Sequence, residues 1–334
     1  MTKPVVAILI DSSTQREVLD QTTRDALEKN FTALWPAGDG RVTPEVATGL
    51  LDGAEGCMTG WGSPALDGKL LAVAPKLKIM AHSAGTVKPF VCDETWKRGI
   101  VVTSAAGVIA VDVAHFAVGL MVVGRKNMME ISPQTGVGEW GKEHRHRKSD
   151  DLRGSTVGIV AASHVGRCVI SLLRHFEVRI LLADPFVTAE RARELGAEKV
   201  ELDDLFRESD IVSIHAPSID STKHMVDARR LGMMKDGATF INTSRGSLVD
   251  EGALVAELNR KRIWAFLDVT DPEPPPKGSP LYGCPNLTLT PHFAGSIGRA
   301  RKRLGATATE ELKRFFGGEK PLYPVTRDIM DRSA

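Results

Sequence analysis

Three segments of the chain carry side chains able to move a proton beside a bound anion. They read Ile241-Asn242-Thr243-Ser244-Arg245-Gly246, Leu267-Asp268-Val269-Thr270-Asp271-Pro272-Glu273-Pro274 and Leu289-Thr290-Pro291-His292-Phe293-Ala294-Gly295. Arg245 offers a planar, permanently charged fork that grips a carboxylate bidentately and can polarise a neighbouring carbonyl. His292 is the side-chain type that titrates near neutral pH and can protonate an oxygen as charge develops on it. A carboxylate such as Glu273 beside that ring would favour its imidazolium form. Reduction of a 2-keto acid by hydride calls for this trio. Taken singly, each residue also has a structural reading: Arg before Gly caps a helix, Glu between prolines is loop surface, and His after Pro packs in a turn.

A second constellation would bind a dinucleotide. Val157–Val160 reads as a strand, followed by Ala161-Ala162-Ser163-His164-Val165-Gly166 and a helix. That order aims free backbone N–H groups and a helix dipole at a pyrophosphate. Ala161 and Ser163 stand where the G-x-G-x-x-G pattern has its first two glycines, and Gly166 keeps the third. An L-residue at positive φ costs on the order of 1–2 kcal/mol, and a Cβ at Ser163 narrows the pyrophosphate approach unless its hydroxyl donates to a phosphate oxygen. The next strand ends at Asp184, placed to accept from the adenosine ribose hydroxyls and to repel a 2′-phosphate, so NAD is expected rather than NADP.

These residues need rigid strand ends beneath them. Short runs rich in Val, Ile and Leu alternate with amphipathic segments, which predicts parallel sheets covered on both faces. Buried strands are expected at Val5–Ile10, Phe31–Trp35, Leu77–Ala81 and Ile100–Thr103, with helices over Gln15–Lys29, Pro44–Leu51 and Pro64–Val73. A long apolar helix is expected over Asp112–Arg125, then an exposed connection over Ser132–Asp150. The charged run Lys142–Lys148 in it reads as a solvated loop, not a metal site. Six further strands are expected at Val157–Ala161, Val178–Ala183, Ile211–Ile214, Ala238–Asn242, Ile263–Val269 and Leu287–Thr290. A helix over Ser296–Phe316 follows, with Leu304, Ala308, Leu312 and Phe315 on one face.

The composition agrees with this class. The 334 residues carry a formal net charge of +1, which gives no electrostatic case for nucleic acid or an anionic membrane as partner. The longest early apolar run, Val5–Ile10, is too short to span a bilayer. Four cysteines (Cys57, Cys92, Cys168, Cys284) lack C-x-x-C spacing, so neither a disulfide scaffold nor a zinc site is expected. A cytoplasmic chain is the expectation.

Together the motifs resemble the NAD-dependent D-isomer-specific 2-hydroxyacid dehydrogenase family. Ala74-Pro75-Lys76-Leu77-Lys78-Ile79 with Ser83-Ala84-Gly85 looks like its substrate loop. Ser209–Pro217 and Met234–Ala238 leading into Asn242–Gly246 are similarly specific. The resemblance is dense from Leu152 to Gly318 and recognisable from about Ala74 to Lys126.

It implies two doubly wound α/β domains, Rossmann-like or flavodoxin-like, with a cleft between them. The substrate domain would comprise 1–104 plus 294–334, and the NAD domain 105–293, with a homodimerisation arm at about 105–150. Arg245, Glu273 and His292 would be catalytic. Ser163, His164, Val165, Gly166 and Asp184 would hold the dinucleotide. Ala216, Pro217, Thr243, Ser244, Arg245, Asp268, His292 and Gly295 would line its nicotinamide side. Ala84 and Gly85 would hold the substrate carboxylate by their amides, with Arg245 and Trp61 also facing the substrate. No metal is expected.

The chain departs from the family at four places. The glycine loop is eroded, Gly85-Thr86-Val87 loses an acidic residue, and His115 replaces another in Val113-Ala114-His115. In Gly60-Trp61-Gly62-Ser63-Pro64, Trp61 stands where many members place an Arg, which points to a small or apolar 2-hydroxy acid. Formate dehydrogenase shares the fold but carries Gln where this chain has Glu273. A corepressor-like relative that senses NADH or binds protein is the alternative of a different class. The complete Arg-Glu-His set argues against it.

Overall fold

The computed structural model describes residues 2–140 and 149–331, so the run Lys142–Lys148 lies outside the described residues. Two compact units form. One holds the chain up to Ile109 and again from Ser296, and the other is Ala110–Gly295. The first division falls inside the helix Ala106–Arg125 rather than at 104, and the second follows Gly295.

In the first unit the strands are β1 (Val5–Ile8), β2 (Thr32–Leu34), β3 (Gly56–Thr59), β4 (Ile79–His82) and β5 (Val101–Ser104). In the second they are β6 (Thr156–Val160), β7 (Arg179–Ala183), β8 (Glu198–Lys199), β9 (Ile211–Ile214), β10 (Thr239–Asn242), β11 (Trp264–Leu267) and β12 (Leu287–Leu289). A last strand, β13 (Pro324–Val325), returns to the first sheet and runs antiparallel on β5. The sheet orders are β13-β5-β4-β3-β1-β2 and β12-β11-β10-β9-β6-β7-β8, and all other pairings are parallel.

Alternation along each strand feeds two cores per sheet, because successive side chains point to opposite faces. In the first unit Ala7, Cys57, Met80 and Val102 face one side, and Val6, Ile8, Met58 and Ile79 the other. In the second, Val160, Val212, Ile214 and Phe240 oppose Val157, Ile159, Leu182 and Ile241. Two-sided burial explains why these strands read as continuous apolar runs.

The structure corrects several expectations. β3 was not expected, since Gly-Cys-Met-Thr has little β-branched character; complete burial between β1 and β4 makes it a strand. β2 lies at a sheet edge and is not buried. β8 and β13 are edge pairings of two residues each, below what periodicity can detect. The helix expected over Gln15–Lys29 is two, Ser12–Val18 and Gln21–Asn30, because the Asp20 carboxylate accepts from Thr23 N and starts a new N-terminus. Asp67 likewise delays the next helix to Gly68–Ala72. After Arg125, Asn127 takes a left-handed conformation and a further helix, Met128–Gly136, occupies part of the expected connection.

The helix Ala106–Arg125 is long and apolar enough to cross a membrane by length and composition. Its Ala114, Ala117, Val118 and Met121 pack into the core of the second unit against Val157 and Ile159.

Each sheet has one point where the strand order reverses, between β1 and β3 in the first and between β6 and β9 in the second. The carboxyl ends of the flanking strands form a ligand crevice at such a point.

Candidate active site

The turn after β6 is shaped by two residues. Ala161 sits at φ 73°, so the first non-glycine adopts the left-handed geometry that a glycine would take without strain. Gly166 lets the helix His164–Leu173 close onto that turn: a Cβ there would lie 2.1 Å from the Ala161 carbonyl oxygen. Ser163 keeps ordinary extended backbone and caps the helix, its hydroxyl accepting from Gly166 N at 3.3 Å. The cost of the eroded glycines therefore falls on Ala161 alone. Among the described residues the amides of His164 and Val165 donate to no partner, as an anion site requires.

Asp184 braces this turn. One carboxylate oxygen accepts from Ala162 N and the other from Phe186 N, both at 2.8 Å. Each oxygen keeps a lone pair, enough to accept a ribose hydroxyl. Free amides at a helix N-terminus, a glycine that a Cβ would fill and a carboxylate at the next strand end together fit a dinucleotide. Across the switch point, His215 is buried, with Nε2 3.0 Å from Ser213 Oγ, and burial pushes its pKa down to about 3. Ala216 after it is buried, and the Pro217 carbonyl accepts from Thr222 Oγ1.

The residues expected to bind the keto acid and transfer the proton follow β10, β11 and β12. After β10, the Asn242 side chain accepts from Ser244 N and donates to the Arg245 carbonyl, while Ser244 Oγ donates to the Ile214 carbonyl. Gly246 lets the next segment approach: a Cβ would lie 2.0 Å from the Thr270 carbonyl carbon. Arg245 donates from Nη1 to the Ser244 carbonyl at 2.6 Å. Burial pulls its pKa down and the Glu273 charge opposes that pull. Thr243 is buried, with a hydroxyl that has no partner among the described residues.

Asp268 holds the third segment in place. Its carboxylate accepts from Thr290 Oγ1 (2.5 Å), Phe293 N (3.0 Å) and Ala294 N (2.9 Å), and its carbonyl accepts from His292 N (2.9 Å). With 2% of its surface exposed, Asp268 is a brace for the loop running to Gly295. The brace supports His292 at φ 52°, a strained backbone for a histidine. His292 Nδ1 then meets Glu273 Oε1 at 2.6 Å. Both side chains remain close to half exposed, which leaves Nε2 as the ring nitrogen open to exchange.

In the first unit, Ser83 Oγ donates to the Thr59 carbonyl, Ser104 Oγ to the Gly85 carbonyl, and Ala105 N to the Ala84 carbonyl. The loop is thus fixed from its carbonyl side, leaving the Ala84 and Gly85 amides without a partner among the described residues. His82, which ends β4, pairs its Nδ1 with Thr59 Oγ1 at 2.9 Å, and burial takes its pKa down to about 4. Trp61 is not a simple apolar wall: the Arg301 guanidinium lies over its ring, 5.3 Å from the centroid. Neither His82 nor Arg301 was singled out from sequence. Arg301 sits in a basic run that reads as a solvated helix face, and only folding brings it to Trp61. Among the described residues no group of three His, Cys, Asp or Glu is placed to hold a metal.

The family model described as "D-isomer specific 2-hydroxyacid dehydrogenase, NAD binding domain" matches residues 118–294. The chain belongs to this family. It is an NAD-dependent oxidoreductase of the D-2-hydroxyacid dehydrogenases, a family whose chemistry interconverts 2-keto and 2-hydroxy acids. A glyoxylate reductase from Korarchaeum cryptofilum is 35% identical over 271 residues, covering 79% of this chain and 81% of the relative. A hydroxypyruvate reductase from Thermotoga maritima is 31% identical, covering 74% and 80% respectively. The solved TT0316 protein from Thermus thermophilus superposes with a TM-score of 0.77 at 29% identity, over 96% of this dehydrogenase and all of that chain.

Proposed function

We propose that this dehydrogenase reduces a small 2-keto acid to its D-2-hydroxy acid, with His292 as acid/base, Glu273 as its partner and Arg245 as the carboxylate and keto-group anchor. The observation that carries the reading is the 2.6 Å His292–Glu273 contact beside a largely buried Arg245. When bound, NADH supplies the hydride to C2. Arg245 polarises the keto oxygen, and His292 Nε2 delivers a proton to that oxygen as negative charge develops on it. Glu273, through its contact with Nδ1, keeps the ring oriented for that transfer. In the oxidative direction the same nitrogen takes the proton back.

His164 and Val165 hold the pyrophosphate through their amides, with Ser163 and Gly166 shaping the turn, and Asp184 binds the ribose. Ala216, Pro217, Thr243, Ser244 and Gly295 line the nicotinamide side, where Asp268 acts by bracing the loop. Ala84 and Gly85 supply amides to the substrate carboxylate. Glyoxylate and hydroxypyruvate are the proposed substrate class, in line with the names of the two reductases above. The exposed Met128, Met129, Val137 and Trp140 fit a homodimerisation arm, and four free cysteines fit a cytoplasmic setting.

The test is NADH oxidation across glyoxylate, hydroxypyruvate, pyruvate, phenylpyruvate and branched keto acids. Turnover with at least one, lost in His292→Asn while NADH binding persists, supports the assignment. NADH binding without turnover of any of them supports the sensing alternative. Sedimentation of the purified chain as a monomer would refute the dimer.

A further inference from the structure

The cofactor turn departs from the glycine pattern at two positions, and the departures differ in kind. Ala161 occupies a backbone that favours glycine, with φ 73°. Ser163 does not: its φ is −62° and its ψ −179°, extended backbone that any residue adopts. Backbone geometry therefore gives no reason for glycine at 163. The remaining reason is room, because a side chain at the mouth of the helix stands where the pyrophosphate approaches.

The Ser163 side chain is folded back onto the helix His164–Leu173, where Oγ accepts from Gly166 N at 3.3 Å. A hydroxyl accepts and donates at once, and the Ser163 proton has no acceptor among the described residues. The Asp184 oxygens at the same turn accept from Ala162 N and Phe186 N. At the same helix end the amides of Ser163, His164 and Val165 donate to no partner among the described residues. Three successive N–H groups and one O–H thus stand together at the positive end of a helix dipole, all four unspent.

Resting on the proposed pyrophosphate site at this turn, we infer that the Ser163 hydroxyl is itself a phosphate donor in NAD binding. It replaces the open approach of a glycine with a hydrogen bond to a pyrophosphate oxygen, added to those from the His164 and Val165 amides. The usual sense of the motif is then reversed, and restoring glycine at 163 weakens cofactor binding.

Calorimetric titration with NADH tests this, with ADP-ribose as a probe that keeps the pyrophosphate and adenosine as one that lacks it. Ser163→Gly and Ser163→Ala each lower affinity for NADH and ADP-ribose roughly tenfold, as loss of a hydrogen bond to a charged group does. Both leave adenosine binding unchanged, and Ser163→Thr, which keeps the hydroxyl, retains most of the NADH affinity. Thermal unfolding of the same variants separates the helix cap: a cap alone predicts a lower midpoint for Ser163→Ala with NADH affinity unchanged, and that result overturns the inference. Unchanged or tighter NADH binding by Ser163→Gly overturns it too, as does an equal loss for adenosine. Gly166→Ala distinguishes the two levels. If it weakens NADH binding while Ser163→Gly does not, only the Ser163 donor is refuted; if NADH binding ignores Gly166→Ala, the pyrophosphate site at this turn is refuted with it.

Discussion

The crevices at the two switch points are built on the same topology and use opposite chemistry. Between β6 and β9 the groups left without partners among the described residues are backbone amides at a helix N-terminus, shaped by Ala161 and Gly166 and braced by Asp184. Between β1 and β3 the loop carries a side-chain cluster, Trp61 with Arg301 over it and Glu17 behind. A backbone site suits a ligand that is the same for every member of a family, since its geometry is fixed by the fold. A side-chain site can be altered by one substitution without disturbing the sheet, which suits a variable substrate. The shared fold supplies the place, and the loops supply the function.

The proposed proton-transfer residues give the largest expected break in that comparison. Replacing His292 by Asn, which tolerates the positive φ, is expected to lower kcat with glyoxylate by about 10²–10⁴ while NADH still binds. A loss below tenfold would remove His292 from the chemistry.

The two buried histidines sharpen the comparison, because His82 ends β4 in one unit and His215 follows β9 in the other. Burial holds both neutral, to about pH 4 for His82 and about pH 3 for His215, against an ordinary value of 6.5. The unfolded chain therefore binds more protons below 6.5. The stability each contributes is full above that value and is lost as pH falls through 6.5 towards the folded pKa. Each is expected to cost about 2 kcal/mol of stability between pH 7.5 and 5. Urea denaturation at the two pH values checks this, with His82→Gln and His215→Asn each flattening the dependence. An unchanged slope would show that the site relaxes and admits a charge.

Gly166→Ala should affect only the backbone crevice. The added carbon meets a carbonyl oxygen, so about 1–3 kcal/mol of strain is expected, with NADH affinity falling roughly tenfold or more by calorimetry. Ala161→Gly should act in the opposite direction and least. It relieves a left-handed alanine but loosens the unfolded chain, for a net gain below about 1 kcal/mol in thermal unfolding. A fall in stability there would show that the alanine side chain contributes packing that outweighs its strain.

Much of this was legible in the sequence because local patterns record it. The long parallel strands announced themselves as apolar runs, and the three chemical segments stood at strand ends where α/β sheets keep their chemistry. β3 escaped because Gly56–Thr59 has no local preference for a strand and becomes one only by insertion between β1 and β4. The break at Asp20 escaped because an aspartate reads equally well as a helix's polar face or as its cap. Asp268 was expected beside the nicotinamide, and nothing in its neighbours along the chain revealed that Thr290, Phe293 and Ala294 would take up its oxygens.

The sequence by itself determined the class of fold and the family, and it named the residue types proposed to carry the reaction, because periodicity and motif spacing are properties of the chain alone. Only the tertiary structure decided which of those groups are satisfied and which are left with a free edge. Hydrogen-bond capacity is used up by partners far away in sequence. Asp268 braces a loop, Ser163 caps a helix, and Trp61 acquires a cation from a helix 240 positions later. The His164 and Val165 amides and the exposed face of His292 are among the groups left with a free edge.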